Sequence, residues 1–207
     1  MSMLFFTGYP GFLGTQLLPR ILQRSEGTHA TCLVQPAVAE LARRRLEDLE
    51  LAEPALRGRV QLEEGDISRA DLGLGAALRR IASEVREVYH LAAIYDLGVR
   101  REVGMRVNLY GTRHGLDFAE ACPGLERFHY VSTCYVSGRH PGIFGENDLE
   151  KGQKFNNFYE ETKYLAEIEV RARMHAGLPA VIYRPAIVVG DSRTGVTQKY
   201  DGPYVAI

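Results

Sequence analysis

Three glycines at three-residue intervals, Gly8, Gly11 and Gly14, follow directly on a short apolar run, Leu4-Phe5-Phe6, at the start of the chain. Few features restrict a fold so tightly. A strand has to run into a turn that tolerates no side chain, and a helix has to begin at once. Gly8 permits the tight turn, Gly11 lets the backbone approach a pyrophosphate, and Gly14 lets the helix pack close to the strand. The next segment carries Phe12, Leu13, Leu17, Leu18, Ile21 and Leu22 at helical spacing. Its N-terminus offers free N–H groups and a partial positive charge to a phosphate. A glycine-rich turn that binds nothing is the alternative, and the strand-loop-helix setting is what argues against it.

The rest of the chain repeats that rhythm. Ala30–Val34 reads as a strand stopped by Pro36, and residues 37–51 as a helix rich in Ala, Leu, Glu and Arg. Arg59–Leu62 and Glu87–Leu91 read as strands, and 72–84 as a helix between them. A long helix is predicted over 101–121, closed by Pro123-Gly124. A strand follows at Phe128–Ser132, a helix at Asn157–Ala176 with Gly177 just past its end, and a strand at Ala180–Tyr183. Six strands alternating with helices predict one α/β domain over 1–207, a doubly wound parallel sheet with helices on both faces. Irregular stretches remain at about 134–156 and 186–207, and stretches that long inside a compact domain are usually functional.

Composition excludes several classes. Lys+Arg number 25 and Asp+Glu 26, a net charge of -1, so neither nucleic acid nor an anionic membrane is the expected partner. Cys32, Cys122 and Cys134 form no CxxC pair and the histidines no HExxH, so no metal site is expected and the thiols read as reduced. No apolar run approaches a membrane span and no signal peptide precedes the glycine loop, so the chain reads as cytoplasmic.

The end of the second strand normally selects between dinucleotides. An acid there binds ribose hydroxyls and favours NAD, whereas a nearby arginine accommodates the 2'-phosphate of NADP. The chain has Val34-Gln35-Pro36, with Arg43, Arg44 and Arg45 on the next helix. Absence of an acid at Gln35 points to NADP(H), with NAD(H) as the alternative, and Arg45 is the residue placed at the phosphate. A solvated basic face paired with Glu47, Asp48 and Glu50 explains the same arginines.

Tyr159-Glu160-Glu161-Thr162-Lys163 puts a phenol and an ammonium four residues apart, on one helix face. A free phenol has a pKa of about 10, and a fixed cation beside it is expected to lower that value. Tyr159 can then exchange a proton with a carbonyl or alcohol oxygen. Isolated Tyr-x-x-x-Lys matches are usually surface residues, but this one opens the helix after the fifth strand. That strand ends in Val131-Ser132-Thr133, at the carboxyl edge where open parallel sheets bind ligands. Alternation lets only one of Ser132 and Thr133 face the site.

Thr7-Gly8-x-x-Gly11-x-x-Gly14, with Tyr159-x-x-x-Lys163 downstream, resembles the fingerprints of the extended short-chain dehydrogenase/reductases. That resemblance runs from Thr7 to Tyr204 and implies a Rossmann-like fold. It also implies cofactor contacts at Gly8, Gly11, Phe12, Leu13 and Gly14, at Asp66 and Ile67 near the adenine, and at Leu91, Ala92 and Ala93 after the fourth strand. Pro185, Ile187 and Val188 correspond to the stretch against the nicotinamide. Of Ser132 and Thr133, the resemblance selects Thr133 as the catalytic hydroxyl beside Tyr159 and Lys163. Asn108, in Val107-Asn108-Leu109-Tyr110-Gly111-Thr112, corresponds to a mainly structural asparagine that sometimes contacts the lysine through water; the resemblance counts it, with Tyr159 and Lys163, among the cofactor contacts. Phe144-Gly145-Glu146, Gly152-Gln153, Phe155-Asn156-Asn157 and the Gly190–Gly195 stretch resemble the branch of fatty acyl-CoA reductases and thioester reductase domains. Such domains usually carry arginine where Gln35 stands.

The resemblance implies an NADP(H)-dependent oxidoreductase acting on a carbonyl, an alcohol or an acyl thioester, with a small-molecule substrate. The alternatives are an NAD-dependent sugar-nucleotide epimerase/dehydratase and a non-catalytic dinucleotide sensor. Extended members carry a smaller substrate domain after the sixth strand, and only about 20 residues follow Pro185 here. The expectation is a chain cut before most of that domain, with the open sheet edge covered by a further segment or by a second copy in a homodimer.

Overall fold

The computed structural model describes residues 2–195, Thr197 and Tyr204; the far part of the 186–207 stretch lies outside the described residues. Six strands form one sheet: β1 (Ser2–Thr7), β2 (Thr28–Val34), β3 (Val60–Glu64), β4 (Val85–His90), β5 (Arg127–Val131) and β6 (Ala180–Tyr183). All pairings are parallel, in the order β3-β2-β1-β4-β5-β6. The order reverses between β1 and β4, where Thr7 lies opposite Leu33 on one side and His90 on the other. A doubly wound sheet opens a crevice at the carboxyl ends of the strands at that point.

The apolar run that opens the chain explains why β1 is central. Leu4, Phe5 and Phe6 are all buried, but they serve different faces. Phe5 belongs to the core cluster with Leu116, Phe118, Phe128 and Val170, its ring centroid 4.3 Å from that of Phe118. Leu4 and Phe6 belong to the cluster with Leu18, Leu22, Cys32 and Ala42. Successive side chains of a strand point to opposite faces, so only a continuous apolar run can cover a sheet packed by helices on both sides.

The helices are α1 (Phe12–Leu22), α2 (Ala39–Ala52), α3 (Ala77–Glu84), α4 (Arg101–Gly104), α5 (Gly111–Glu120) and α6 (Phe158–His175). Two depart from the pattern read in the sequence. The helix expected over 72–84 begins only at Ala77. Leu72, Gly73 and Gly75 have φ of 55°, 72° and 52°, and the Asp71 carboxylate accepts hydrogen bonds from the N–H groups of Gly73 (2.9 Å) and Gly75 (3.3 Å). A side chain that captures local N–H groups competes with the helix and delays it by one turn. The long helix over 101–121 forms, but Met105–Tyr110 between α4 and α5 is π-helical. Such segments are rare and often mark functional regions.

α6 starts where local chemistry dictates. Asn157 accepts a hydrogen bond from Glu160 N (2.9 Å), and the Glu160 carboxylate reaches back to Asn156 N (2.8 Å). This reciprocal N-terminal cap fixes the first turn, which carries Tyr159. Among the described residues no helix is long and apolar enough to cross a membrane.

Candidate active site

The crevice at the switch point is a cavity of about 690 Å³. The glycine loop forms its floor. Gly8 has φ of 94°, a conformation that disfavours any side chain, and an added Cβ would lie 2.9 Å from Leu91 Cβ. A Cβ at Gly11 or Gly14 would come within 2.8 Å or 2.5 Å of Gly8 O. The loop therefore closes on itself through Gly11 N–H to Gly8 O (2.9 Å), and only glycine fits. Phe12 and Leu13 complete the lining at the start of α1.

At the far end of the cavity lie Gln35, Val38, Leu41, Arg45, Gly65 and Ile67. Helix geometry separates the three arginines. Arg43 pairs with Glu64 (2.8 Å) and Arg44 with Glu40 (3.0 Å), both on the outer face. Arg45 lines the cavity and donates to Pro10 O of the glycine loop. Asp66, expected at the adenine, is not a lining residue; its neighbours Gly65 and Ile67 are. Its carboxylate instead accepts from Ser68 N (2.8 Å) and lies 3.5 Å from Gln35 Nε2. Burial opposes ionisation there, but these hydrogen bonds together hold its carboxyl below the ordinary value.

Leu91, Ala92 and Ala93 form the wall next to the loop. They are tied down by a buried relay. Thr112 Oγ1 donates to Asn108 O (2.7 Å) and so accepts from His90 Nε2 (3.2 Å). Thr7 Oγ1 accepts from Ala92 N (3.1 Å), and its own hydrogen serves His90 Nδ1 (3.1 Å). Every hydrogen is placed once only if the imidazole is neutral, which agrees with burial, aided by the Lys163 charge, depressing His90 to about 3. Asn108, expected among the cofactor contacts, does not line the cavity. Its amide is consumed behind the wall, where it binds Ile94 and Thr162.

At the other end stand Val131, Ser132, Thr133, Tyr159, Lys163 and Pro185 to Val188. Ser132 Oγ donates to the fully buried Glu167 (2.6 Å), which also holds Arg184 (2.6 Å) and Arg171 (3.1 Å). Thr133 instead lines the cavity with Tyr159, and its Oγ1 accepts from Tyr135 N (3.3 Å). Strand alternation thus gives one hydroxyl to the core and the other to the cleft. Lys163 Nζ donates to Val131 O (2.7 Å) and sits 4.4 Å from the centroid of the Tyr130 ring.

Residues 6–207 match the family model described as male sterility protein. The chain belongs to this family. Its homologues are fatty acyl-CoA reductases and reductase domains of nonribosomal peptide synthetases, within the extended short-chain dehydrogenase/reductases. The terminal R domain from the myxalamid PKS-NRPS biosynthetic pathway superposes with a TM-score of 0.85 at 32% identity, over 97% of this chain and 53% of that one. Fatty acyl-CoA reductase 1 of Arabidopsis thaliana is 28% identical over 72% of this chain and 34% of its own length. UDP-glucuronic acid 4-epimerase from Bacillus cereus, solved with NAD, gives a TM-score of 0.69 at 27% identity over 91% of this chain and 58% of that one. The chain thus spans about half of the solved relatives and a smaller share of the curated one.

Within this male sterility protein family member, the electrostatics of the Tyr-Lys pair correct one expectation. Burial, against the opposing Thr133 hydrogen bond, pushes the Tyr159 phenol up to about 12, not down. Burial likewise drops the Lys163 ammonium to about 7, with Glu167 countering. Lys163 Nζ bonds Val131 O and lies over the Tyr130 ring, and burial, not the lysine, dominates at Tyr159, favouring the neutral phenol. Tyr95 and Tyr135 also line this end. No spacing rule marked them: Tyr95 lies in irregular backbone and Tyr135 in the 3-10 turn Cys134–Ser137, and each comes near Tyr159 only through the fold.

Proposed function

We propose that this chain is the dinucleotide-binding and proton-donating part of an NADP(H)-dependent reductase acting on an acyl thioester or an aldehyde. The observation that carries the reading is that buried Tyr159, Thr133 and Lys163 line the same cavity as the glycine loop. The residues fit a dinucleotide: the loop is a cradle that a Cβ would fill, beside the N-terminus of α1, and the cavity runs from there to Tyr159. Gly8, Gly11, Phe12, Leu13 and Gly14 would hold the pyrophosphate, Gln35 and Arg45 the adenosine end, and Pro185, Ile187 and Val188 the nicotinamide end. Arg45 favours NADP(H), because it brings a guanidinium to the cavity and no acid stands at the end of β2.

Bound NADPH supplies the hydride to the carbonyl carbon. The chain's own residues manage the oxygen. Thr133 orients it by a hydrogen bond, and Tyr159 transfers its phenolic proton as negative charge develops there. With a thioester the carbon–sulfur bond of the resulting hydroxy thioether then breaks, its hydroxyl proton passes to the departing sulfur, which leaves as a thiol, and the acyl group leaves as an aldehyde; an aldehyde goes directly to the alcohol. The walls beside Tyr159 are Ile94, Tyr95, Tyr135, Ile187 and Val188, uncharged groups suited to an apolar acyl chain.

A sugar-nucleotide epimerase is the second reading, favoured by the fold shared with the Bacillus cereus enzyme. Titration of the purified chain with NADPH and NADH separates the two. The reductase reading expects NADPH to bind about tenfold tighter than NADH, and Arg45→Ala to erase that margin. It also expects NADPH oxidation with an acyl thioester or aldehyde. Tight NAD that survives purification, or an NADH preference, overturns it.

A further inference from the structure

The segment between β4 and α4, Leu91 to Arg100, has no helix or strand. One residue of it, Ile94, is nevertheless held at both its N–H and its C=O by a side chain that is itself tied to α6. Asn108 Oδ1 accepts from Ile94 N (2.8 Å), Asn108 Nδ2 donates to Ile94 O (3.3 Å), and the same nitrogen donates to Thr162 Oγ1 (3.1 Å). Asn108 is 1% exposed, so its whole amide is consumed by these bonds. Thr162 in turn donates to Phe158 O (2.8 Å) in the first turn of α6.

The residue after Ile94 is Tyr95. Its ring meets the Tyr159 ring edge to face, centroids 5.1 Å apart and planes at 90°. That geometry is the favoured one for an aromatic pair. A closed circuit results. It leaves α6 at Thr162, passes through Asn108 and the Ile94 backbone to Tyr95, and returns to α6 at Tyr159. Asn108 lies within the π-helical segment, which packs close to α6: a Cβ on Gly104, just before it, would lie 3.2 Å from Thr162.

We propose that Tyr95 is a positioning residue for the proton donor Tyr159, and that Asn108 is the latch that holds Tyr95 in place. The ring of Tyr95 blocks rotation of the Tyr159 side chain away from Thr133. The proposal rests on the reductase reading for its effect on turnover, but not for its effect on the ring.

The test uses the full chain labelled with ¹³C at the tyrosine ε carbons, with the Tyr95 and Tyr159 signals assigned by Tyr95→Phe and Tyr159→Phe. Asn108→Ala is expected to shift or broaden the signals of both Tyr95 and Tyr159, whereas Tyr95→Phe, which keeps the ring, leaves Tyr159 in place. Tyr95→Ala is expected to broaden Tyr159 through ring motion. In NADPH oxidation with octanal, Tyr95→Ala is expected to lower kcat at least tenfold with NADPH affinity within twofold, and Tyr95→Phe to keep kcat within threefold. Combining Asn108→Ala with Tyr95→Ala should lower kcat no further than the worse single variant, because both act on one circuit. An unmoved Tyr159 signal in Asn108→Ala, wild-type kcat in Tyr95→Ala, or additive losses overturn the proposal. If Asn108→Ala does not fold, the contrast between Tyr95→Ala and Tyr95→Phe decides. Turnover retained in Tyr159→Phe overturns the reductase reading instead, and the ring signals still judge the circuit.

Discussion

The two halves of the sheet shape the cleft by different means. On the β1–β2–β3 side the wall is backbone: Gly8, Gly11 and Gly14 fold on one another, and the buried polar side chains are the threonines Thr7, Thr28 and Thr31. On the β4–β5–β6 side it is side-chain chemistry. His90, Asn108, Ser132, Thr133, Thr162, Lys163 and Glu167 are all buried, each with a hydrogen-bond partner. A wall made of close-packed backbone fails when an atom is added. A wall made of buried polar groups fails when a partner is removed.

The sharpest break on the second side is Tyr159→Phe. Loss of the proton donor should lower NADPH-dependent turnover by about 10²-fold or more, with NADPH affinity unchanged. Stopped-flow or steady-state rates beside a fluorescence titration check both parts; matched losses in affinity would mean that the phenol serves binding. The first side breaks in the opposite pattern. Gly14→Ala puts a Cβ 2.5 Å from Gly8 O and 3.0 Å from Gly8 C, and neither backbone atom can yield. We expect at least about tenfold weaker NADPH binding and destabilisation of about 1–3 kcal/mol, read as a lower Tm. An alanine variant with wild-type affinity would show that the loop is not the cradle.

Lys163 sharpens the comparison through pH. Its ammonium is lowered from 10.5 to about 7 in the folded chain by burial. Between those values the unfolded chain holds a proton that the folded chain lacks, so this group makes stability rise with pH from about 7 upward. The penalty is present in full below pH 7. Lys163→Met should therefore raise Tm more at pH 6 than at pH 10, measured against wild type by thermal melts. An equal gain at both values would mean that the lysine is not held neutral by burial. The smallest effect belongs to Ser132→Ala. It removes one hydrogen bond to Glu167, which keeps Arg184 and Arg171. A loss of about 1 kcal/mol with turnover within twofold is expected. Turnover that fell as far as in Thr133→Val would mean that both hydroxyls reach the cleft.

Much of the backbone wall was legible along the chain. Leu4-Phe5-Phe6 and the glycine spacing required a buried strand, a side-chain-free turn and a helix, and these are what β1, the loop and α1 are. The side-chain wall was legible only as a pair. Helix periodicity placed Tyr159 and Lys163 on one face of a helix expected from Asn157, and the Asn157–Glu160 cap emerged only in the structure. Their electrostatics were misread, because a nearby cation was weighed without the burial that turned out to dominate both groups. The 72–84 helix was misjudged for a related reason: Asp71 and two glycines cost it a turn that periodicity alone does not register.

The sequence by itself determined the alternation of strands and helices, the glycine loop, and the family in which these motifs occur in this order. Each depends on residues within a few positions of one another, so neighbours along the chain encode it. Tertiary structure alone decided that Arg45 and not Arg43 or Arg44 faces the cavity, that Ser132 turns to Glu167 while Thr133 turns to Tyr159, and that Asn108 grips Ile94. It alone brought Tyr95 against Tyr159. Those outcomes depend on burial and on partners far apart in sequence, which meet only when the sheet order sets β4, β5 and α6 side by side.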